Sequence, residues 1–238
     1  MRIVAISDTH THHMDVIVPD GDVLVHAGDF TYKGRRDEIS EFLDWFLNLP
    51  HKHKVLIAGN HDIQLDSEKR TASNTVLSVD DMDHWIHAEF YERIKSKENV
   101  HYLENSGACI EGVNFWGSPI TPTFGYGWGF NSDPDKIGKY WDLIPDNTDV
   151  LVTHGPPLET LDQVLPDYKM VGCDKLRDRI LQISPMIHIF GHIHESYGAT
   201  KKGDTTYFNS SQLNHRYYCT NSAWVIDMDE NGVIEYSN

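Results

Sequence analysis

Short apolar runs alternate with polar, helix-patterned stretches along most of the chain. The runs are Ile3 to Ile6, Val23 to Val25, Val55 to Ala58, Val113 to Trp116, Val150 to Val152, Ile187 to Phe190, Thr206 to Phe208 and Ala223 to Ile226. Each is brief and rich in β-branched residues, the pattern of a buried strand. Between several of them lie segments with helical spacing: Asp37 to Leu47 with an Ile39, Phe42, Leu43, Phe46 face, Asp80 to Lys95, and Cys173 to Ile183 with Leu176, Ile180 and Ile183. Strands alternating with helices predict crossover connections and a largely parallel sheet of the α/β class. The tail differs. Ala223 to Met228 and Val233 to Tyr236 flank Asp229, Glu230, Asn231 and Gly232, where Asn-Gly predicts a tight hairpin, so a purely parallel sheet is not expected. Gly117 to Asp135, rich in Gly, Pro and aromatic residues, reads as a long surface loop. Loops of that length in compact domains are usually functional.

The 238 residues contain no internal repeat and no low-complexity linker, so residues 1–238 are read as one domain. A composition of 39% hydrophobic and 24% charged residues excludes disordered and collagen-like chains, and no apolar run is long enough to span a membrane. Polar Asp8, Thr9 and His10 follow the first strand at once and leave no room for a signal-peptide core; a cytoplasmic protein is expected. Cys109, Cys173 and Cys219 are odd in number and widely spaced, which argues for reduced, structural thiols. A net charge of −16 has the wrong sign for an extended nucleic-acid surface or an anionic membrane. A phosphate substrate would need that field inverted locally.

The informative feature is positional. Five apolar runs end within a few residues of metal-binding side chains: Asp8 with His10, Asp29, Asn60 with His61, His154, and His192 with His194. In a parallel sheet these positions gather at the carboxyl ends of the strands, where α/β proteins place their ligands. Gly28, Gly59, Gly155 and Gly191 accompany four of the ends and suit a sharp exit from the strand. Aspartate, asparagine and histidine without cysteine favour Mn²⁺, Fe or Zn²⁺ over a thiolate site or a calcium cage. The donors are too many for one tetrahedral zinc, so two ions are inferred, and two-metal centres suit phosphoryl chemistry.

The blocks Asp8-Thr9-His10, Gly28-Asp29, Gly59-Asn60-His61-Asp62, Thr153-His154-Gly155 and Gly191-His192-Ile193-His194, in that order, resemble the calcineurin-like metallophosphoesterases over roughly residues 1 to 210. Ser7-Asp8-Thr9-His10, His26-Ala27-Gly28-Asp29 and Gly191-His192-Ile193-His194-Glu195 look most like the small branch named for a metallophosphoesterase domain and associated with cyclic nucleotide phosphodiester hydrolysis. The resemblance implies a four-layer αββα sandwich of two mixed β-sheets flanked by helices. It also assigns ligands: Asp8, His10 and His194 to the first metal, Asn60, His154 and His192 to the second, and Asp29 as the bridge between them. Manganese is the expected metal.

Two divalent ions, two carboxylates and a hydroxide leave a net positive charge opposite a singly charged diester, so the site attracts what the whole chain repels. The expected reaction is in-line attack of metal-bound hydroxide on phosphorus, without a covalent phospho-enzyme. His61 is the candidate general acid for the leaving oxygen, as the resemblance also implies. Asp62 is read either as a partner that orients or charge-stabilises that ring or as an exposed loop carboxylate. His26 and His188, inside strands, read as hydrogen-bonded structural histidines, with support of the metals from behind as the alternative. His12 and His13 either flank the substrate or face solvent.

The aromatic loop would contact the substrate through Phe124 and Trp128, which could stack a nucleobase; the alternative is a small core that pins the loop. Gly125, Gly127 and Gly129 lack the strand-turn-helix setting of a dinucleotide fingerprint, and neither GxxxxGK[ST] nor GxSxG occurs. Phe30, Thr31, Tyr32, Lys33 and Gly34 follow Asp29 where phosphoprotein phosphatases of this resemblance carry acidic and arginine residues. The expected partner is thus a small phosphoester, a nucleotide among the candidates, cleaved as a diester. A phosphomonoesterase or phosphoprotein phosphatase is the second reading, and an inactive scaffold of the same fold is the alternative of another class.

Overall fold

The computed structural model describes residues 1–67, 80–229, 232 and 234–238. The first of two mixed six-stranded sheets contains β1 (Arg2–Ile6), β2 (Val23–Ala27), β3 (His53–Ile57), β4 (Val100–Tyr102), β15 (Trp224–Met228) and β16 (Ile234–Ser237), in the order β16-β15-β1-β2-β3-β4. Strands β1 to β4 run parallel, and β15 lies antiparallel between β1 and β16. The second contains β5 (Ser106–Ile110), β6 (Val113–Ser118), β9 (Val150–Thr153), β12 (Ile187–Phe190), β13 (Gly198–Lys202) and β14 (Thr205–Asn209), in the order β13-β14-β12-β9-β6-β5. Its four central strands are parallel and both edges are antiparallel. The β15–β16 pairing agrees with the expected terminal hairpin; Glu230, Asn231 and Val233 lie outside the described residues.

The two-residue period of a strand explains why these runs are apolar throughout. Ile3, Ala5, Val23, Val25, Val55 and Ile57 point between the sheets, against Phe115, Val150, Val152, Ile187, Ile189 and Phe208. Their neighbours Val4, Ile6, Leu24 and Leu56 point the other way, onto α1 (Arg36–Asn48) and α2 (Asp80–Lys95). Leu151 and Phe190 likewise meet Leu176 and Ile180 of α4 (Asp174–Ile183) and Trp141 of α3 (Gly138–Trp141). Both faces of each sheet are therefore covered, which gives the four layers.

Helix α1 buries Ile39, Phe42, Leu43 and Phe46, spaced as a single helical face. The Glu38 carboxylate accepts the backbone N–H groups of Lys33 and Arg35 and closes its first turn. Cys173 is free, and its Sγ accepts the Leu176 N–H at the start of α4 and the Trp141 indole N–H, so this thiol is structural.

Residues 117–135 are more ordered than the expected irregular loop. Strand β6 continues through Ser118, and β7 (Thr121–Pro122) pairs in parallel with β8 (Asn131–Ser132), drawing the segment into a neck. Gly129 N–H donates to Asn60 O, and Phe130 N–H donates to Asp66. The tip, Phe124 to Gly127, is exposed to solvent.

The ring of Phe42 is fully buried, with Phe30 at 4.3 Å and Phe46 at 5.3 Å between centroids. Phe42→Ala is expected to cost about 3–5 kcal/mol, measured by urea unfolding.

Candidate metal centre

The five parallel strands β1, β2, β3, β9 and β12 direct their carboxyl ends to one place, although they belong to two sheets. The single-sheet edge expected from the strand pattern is thus a junction between two sheets, stitched by a backbone bridge from Ser7 to Ser211. Donor atoms of Asp8, His10 and His194 lie within 4.8 Å of one another, as do those of Asp29, His154 and His192. His10 with Asp29 and His61 satisfies the same spacing, so Asp29 faces both groups. Asn60 Oδ1 stands 2.9 Å from His154 Nε2. The sequence-derived ligands Asp8, His10, Asp29, Asn60, His154, His192 and His194 therefore all come together.

Backbone conformation places them. Asp8, His10, Asp29 and His192 all have positive φ, between 39° and 69°, which is strained for residues with a Cβ. Of the four glycines expected to ease the strand exits, only Gly28 has positive φ, so the ligand residues themselves take the sharp turn. The glycines make room instead: a Cβ at Gly59 would collide with the Asp29 carboxylate, and one at Gly191 with the Asp8 carboxylate.

Hydrogen bonds aim the donors. His10 Nδ1 donates to Thr31 O at 3.1 Å, His154 Nδ1 to Ala27 O at 2.9 Å and His194 Nδ1 to Asn214 O at 3.2 Å. Each neutral ring then presents its Nε2 lone pair inward. Asp8 accepts the His192 backbone N–H and the Ser211 hydroxyl. With the rings neutral, as metal ligation requires, the inward atoms are acceptors facing acceptors: His10 Nε2 lies 3.3 Å from His194 Nε2, and His154 Nε2 lies 3.2 Å from Asp29 Oδ2. Buried lone pairs at such distances repel unless a cation stands among them, so the donor set fits two divalent metals.

The titration of these groups follows from burial and mutual charge. Burial pushes His10 down to about 4 and His192 to about 3. For His154 burial also acts downward, but the Asp29 charge and hydrogen bond prevail and raise it to about 9. On Asp29 burial works upward, and the charges of His154, His61 and His10 outweigh it, holding the carboxyl well below the usual range. A proton on His154 thus occupies the lone pair that a metal would use.

His61 N–H donates to Asp29 Oδ1, and its ring Nδ1 donates to Tyr32 O at 2.8 Å. Neither reading of Asp62 matches its surroundings. It is fully buried, and its carboxylate accepts the N–H groups of Asp29, Gly59 and Thr31 and the Thr31 hydroxyl. It therefore ties the second and third ligand loops together, while the ring of His61 is oriented by the Tyr32 carbonyl. His26 and His188 combine their two readings. Gly28 N–H donates to His26 Nδ1, so His26 Nε2–H donates to the hydroxyl of Thr9, between Asp8 and His10. Thr153 donates to Gly155 O and accepts from His188 Nε2, next to His154. Burial pushes both histidines down to about 3 and keeps them neutral. His12 faces solvent, whereas His13 is buried against Phe42 and Trp45 of α1.

Above the donors lies a pocket of about 240 Å³ lined by His10, Asp29, Asn60, His61, Phe124, Trp128, His192, His194, Glu195, His215 and Tyr217. The Trp128 ring sits 4.3 Å from that of His61, and Phe124 sits 5.0 Å from His192. Phe124 is 52% exposed, so the loop tip forms no closed core of its own. Tyr217, 5.1 Å from both His10 and His194, escaped the sequence reading, as did His215. The available signal was the polar run Asn209 to Gln212 that ends β14, a sixth parallel strand pointing to the same junction.

Fold and donor set together define a metallophosphoesterase. The chain belongs to the calcineurin-like phosphoesterase family, whose pattern matches residues 1–196, and the chemistry of that family is metal-dependent hydrolysis of phosphoesters. It is 40% identical over 235 residues to metallophosphoesterase domain-containing protein 1 of Homo sapiens, covering 95% of this chain and 71% of that one. It is 39% identical over 214 residues to UPF0046 protein K07C11.7 of Caenorhabditis elegans, covering 90% and 70%. A crystal structure 17% identical in sequence shares the fold with a TM-score of 0.67 over 99% of this chain and 98% of that one.

Asp62→Ala leaves four buried donors without their acceptor. It is expected to lower stability by about 3 kcal/mol or more and metal content with it, read by calorimetry and elemental analysis.

Proposed function

We propose that the protein hydrolyses a small phosphodiester, a cyclic nucleotide or a similar ester, with two divalent ions, most readily Mn²⁺, in the cytoplasm. The observation that carries this reading is the pair of donor groups facing Asp29 beneath a pocket walled by aromatic rings. Bound there, the ions would supply a hydroxide nucleophile at neutral pH and offset charge on the phosphoryl oxygens. Among the described residues that line the pocket none is Lys or Arg, and Glu195 adds negative charge at its rim. A singly charged diester suits that lining better than a dianionic monoester or a phosphoprotein side chain.

The chain's own groups divide the remaining work. Asp8, His10 and His194 would hold one ion and Asn60, His154 and His192 the other, with the Asp29 carboxylate placed toward both groups. With Nδ1–H committed to the Tyr32 carbonyl, His61 would serve as general acid in its imidazolium form, giving up the second proton at Nε2, under Trp128. Phe124 and Trp128 offer apolar faces to the organic part of the ester, and stacking on a base is worth about 1–3 kcal/mol.

The test is metal analysis of purified protein together with turnover of bis-p-nitrophenyl phosphate, p-nitrophenyl phosphate, and 2′,3′- and 3′,5′-cyclic nucleotides in Mn²⁺. Diester hydrolysis that is lost on chelation and restored by Mn²⁺ is expected. A strong monoester preference would favour the phosphatase reading, and metal-free, inactive protein the scaffold reading. His61→Ala is expected to keep both metals and lose at least about 100-fold in kcat; parallel loss of metal would instead make His61 a ligand.

A further inference from the structure

Beside the pocket over the donors lies a second, larger cavity of about 560 Å³. Phe124 and His192 belong to the walls of both cavities, so the two are neighbours across one aromatic ring and one ligand. Its other side chains are mostly apolar: Pro122, Pro156, Val164, Met170 and Val171, with Lys169 at the edge. One wall is a hairpin formed by β10 (Gln163–Val164) and β11 (Lys169–Met170), inserted between the His154 loop and α4.

That hairpin is held rigidly at its root and left bare at its face. The Asp162 carboxylate accepts the N–H groups of Glu159 and Gly172. Ser196, two residues beyond His194, bonds both backbone groups of Gln163. Residues 156–158 are stitched to Cys173 by backbone hydrogen bonds. Leu165 and Tyr168 are 42% and 66% exposed, close in the chain to the cavity wall, and Met170 of that wall is 46% exposed. A fixed element that presents apolar groups to water beside a reaction centre is a binding surface in waiting.

We propose that this cavity is the subsite for one organic group of the ester: an apolar alcohol larger than methyl, alkyl or aryl, lying across Phe124 against Val164 and Met170. The proposal rests on the phosphodiester reading above and narrows its substrate class. A diester projects one organic group on each side of phosphorus, and the shared Phe124 and His192 make this cavity the next space such a group meets. Lys169 at the rim opposes the negative field of the chain without interrupting the apolar wall.

The test compares kcat/KM for methyl, phenyl and octyl p-nitrophenyl phosphate with the Mn²⁺-loaded protein, each releasing p-nitrophenolate. Phenyl or octyl is expected to exceed methyl on the order of ten-fold, the two arms separating ring from chain. Met170→Glu is expected to bring that ratio close to one, whereas Leu181→Glu, on the exposed face of α4, is expected to leave it unchanged. Equal rates across the series, or a ratio unaltered in Met170→Glu, would overturn the subsite. Absence of turnover with every diester would refute the phosphodiesterase reading separately. Calorimetric binding of octylphosphonate against methylphosphonate then decides the subsite, tighter octyl binding supporting it and equal affinity refuting it.

Discussion

Everything at the head of the two sheets depends on one electrostatic constraint: buried acceptors that face other acceptors. Three imidazoles donate Nδ1–H outward to the carbonyls of Thr31, Ala27 and Asn214, so their Nε2 lone pairs turn inward beside Asp8, Asp29 and Asn60. A proton would relieve part of this crowding at the His154–Asp29 pair, where the carboxylate raises the histidine to about 9. Cations relieve it fully, because a divalent ion accepts several lone pairs at once. The site is in this sense an anionic and basic cavity suited to positive charge, inside a chain that already carries −16. The two charges work at different ranges: the surface field is screened within about 10 Å by salt, while a buried ion acts at contact distance.

Holding such a cluster together requires a frame that tolerates strain. Four of the candidate donor residues sit at positive φ, and the strands behind them are buried on both faces, so the core over-determines turns that would otherwise relax. Asp62, His26 and His188 reinforce the frame from different directions. Asp62 gathers backbone donors from the second and third ligand loops, and the two histidines each fix a threonine adjacent to a ligand. None of the three contributes an atom to the donor groups, yet each limits how far a ligand can drift.

Around this centre, selectivity in the proposed function belongs to less regular elements. The aromatic loop is anchored at its neck and solvent-exposed at its tip, and the β10–β11 hairpin is anchored at its root and bare on its face. Tyr217 and His215 come from a turn beyond the family-matched residues 1–196. On the proposed reading, chemistry and recognition fall to different parts of the chain: strand ends for the former, loops of individual shape for the latter.

The strands were legible in the chain because a strand buried on both faces must be apolar at every position, and α1 because its Ile39, Phe42, Leu43, Phe46 face has helical spacing. The donor residues that meet at the junction were legible because each follows such a run directly, and order along the chain alone identifies the ends of strands. That the strands divide into two sheets was not determined by local pattern, since either face of an apolar strand can meet a helix or a second sheet. Nor could local pattern reveal that Asp62 binds loops while a carbonyl orients His61, that Ser211 holds Asp8 from 203 positions away, or that a hairpin borders the site. Those contacts arise between segments distant in the chain, where only the three-dimensional packing decides which polar groups become neighbours.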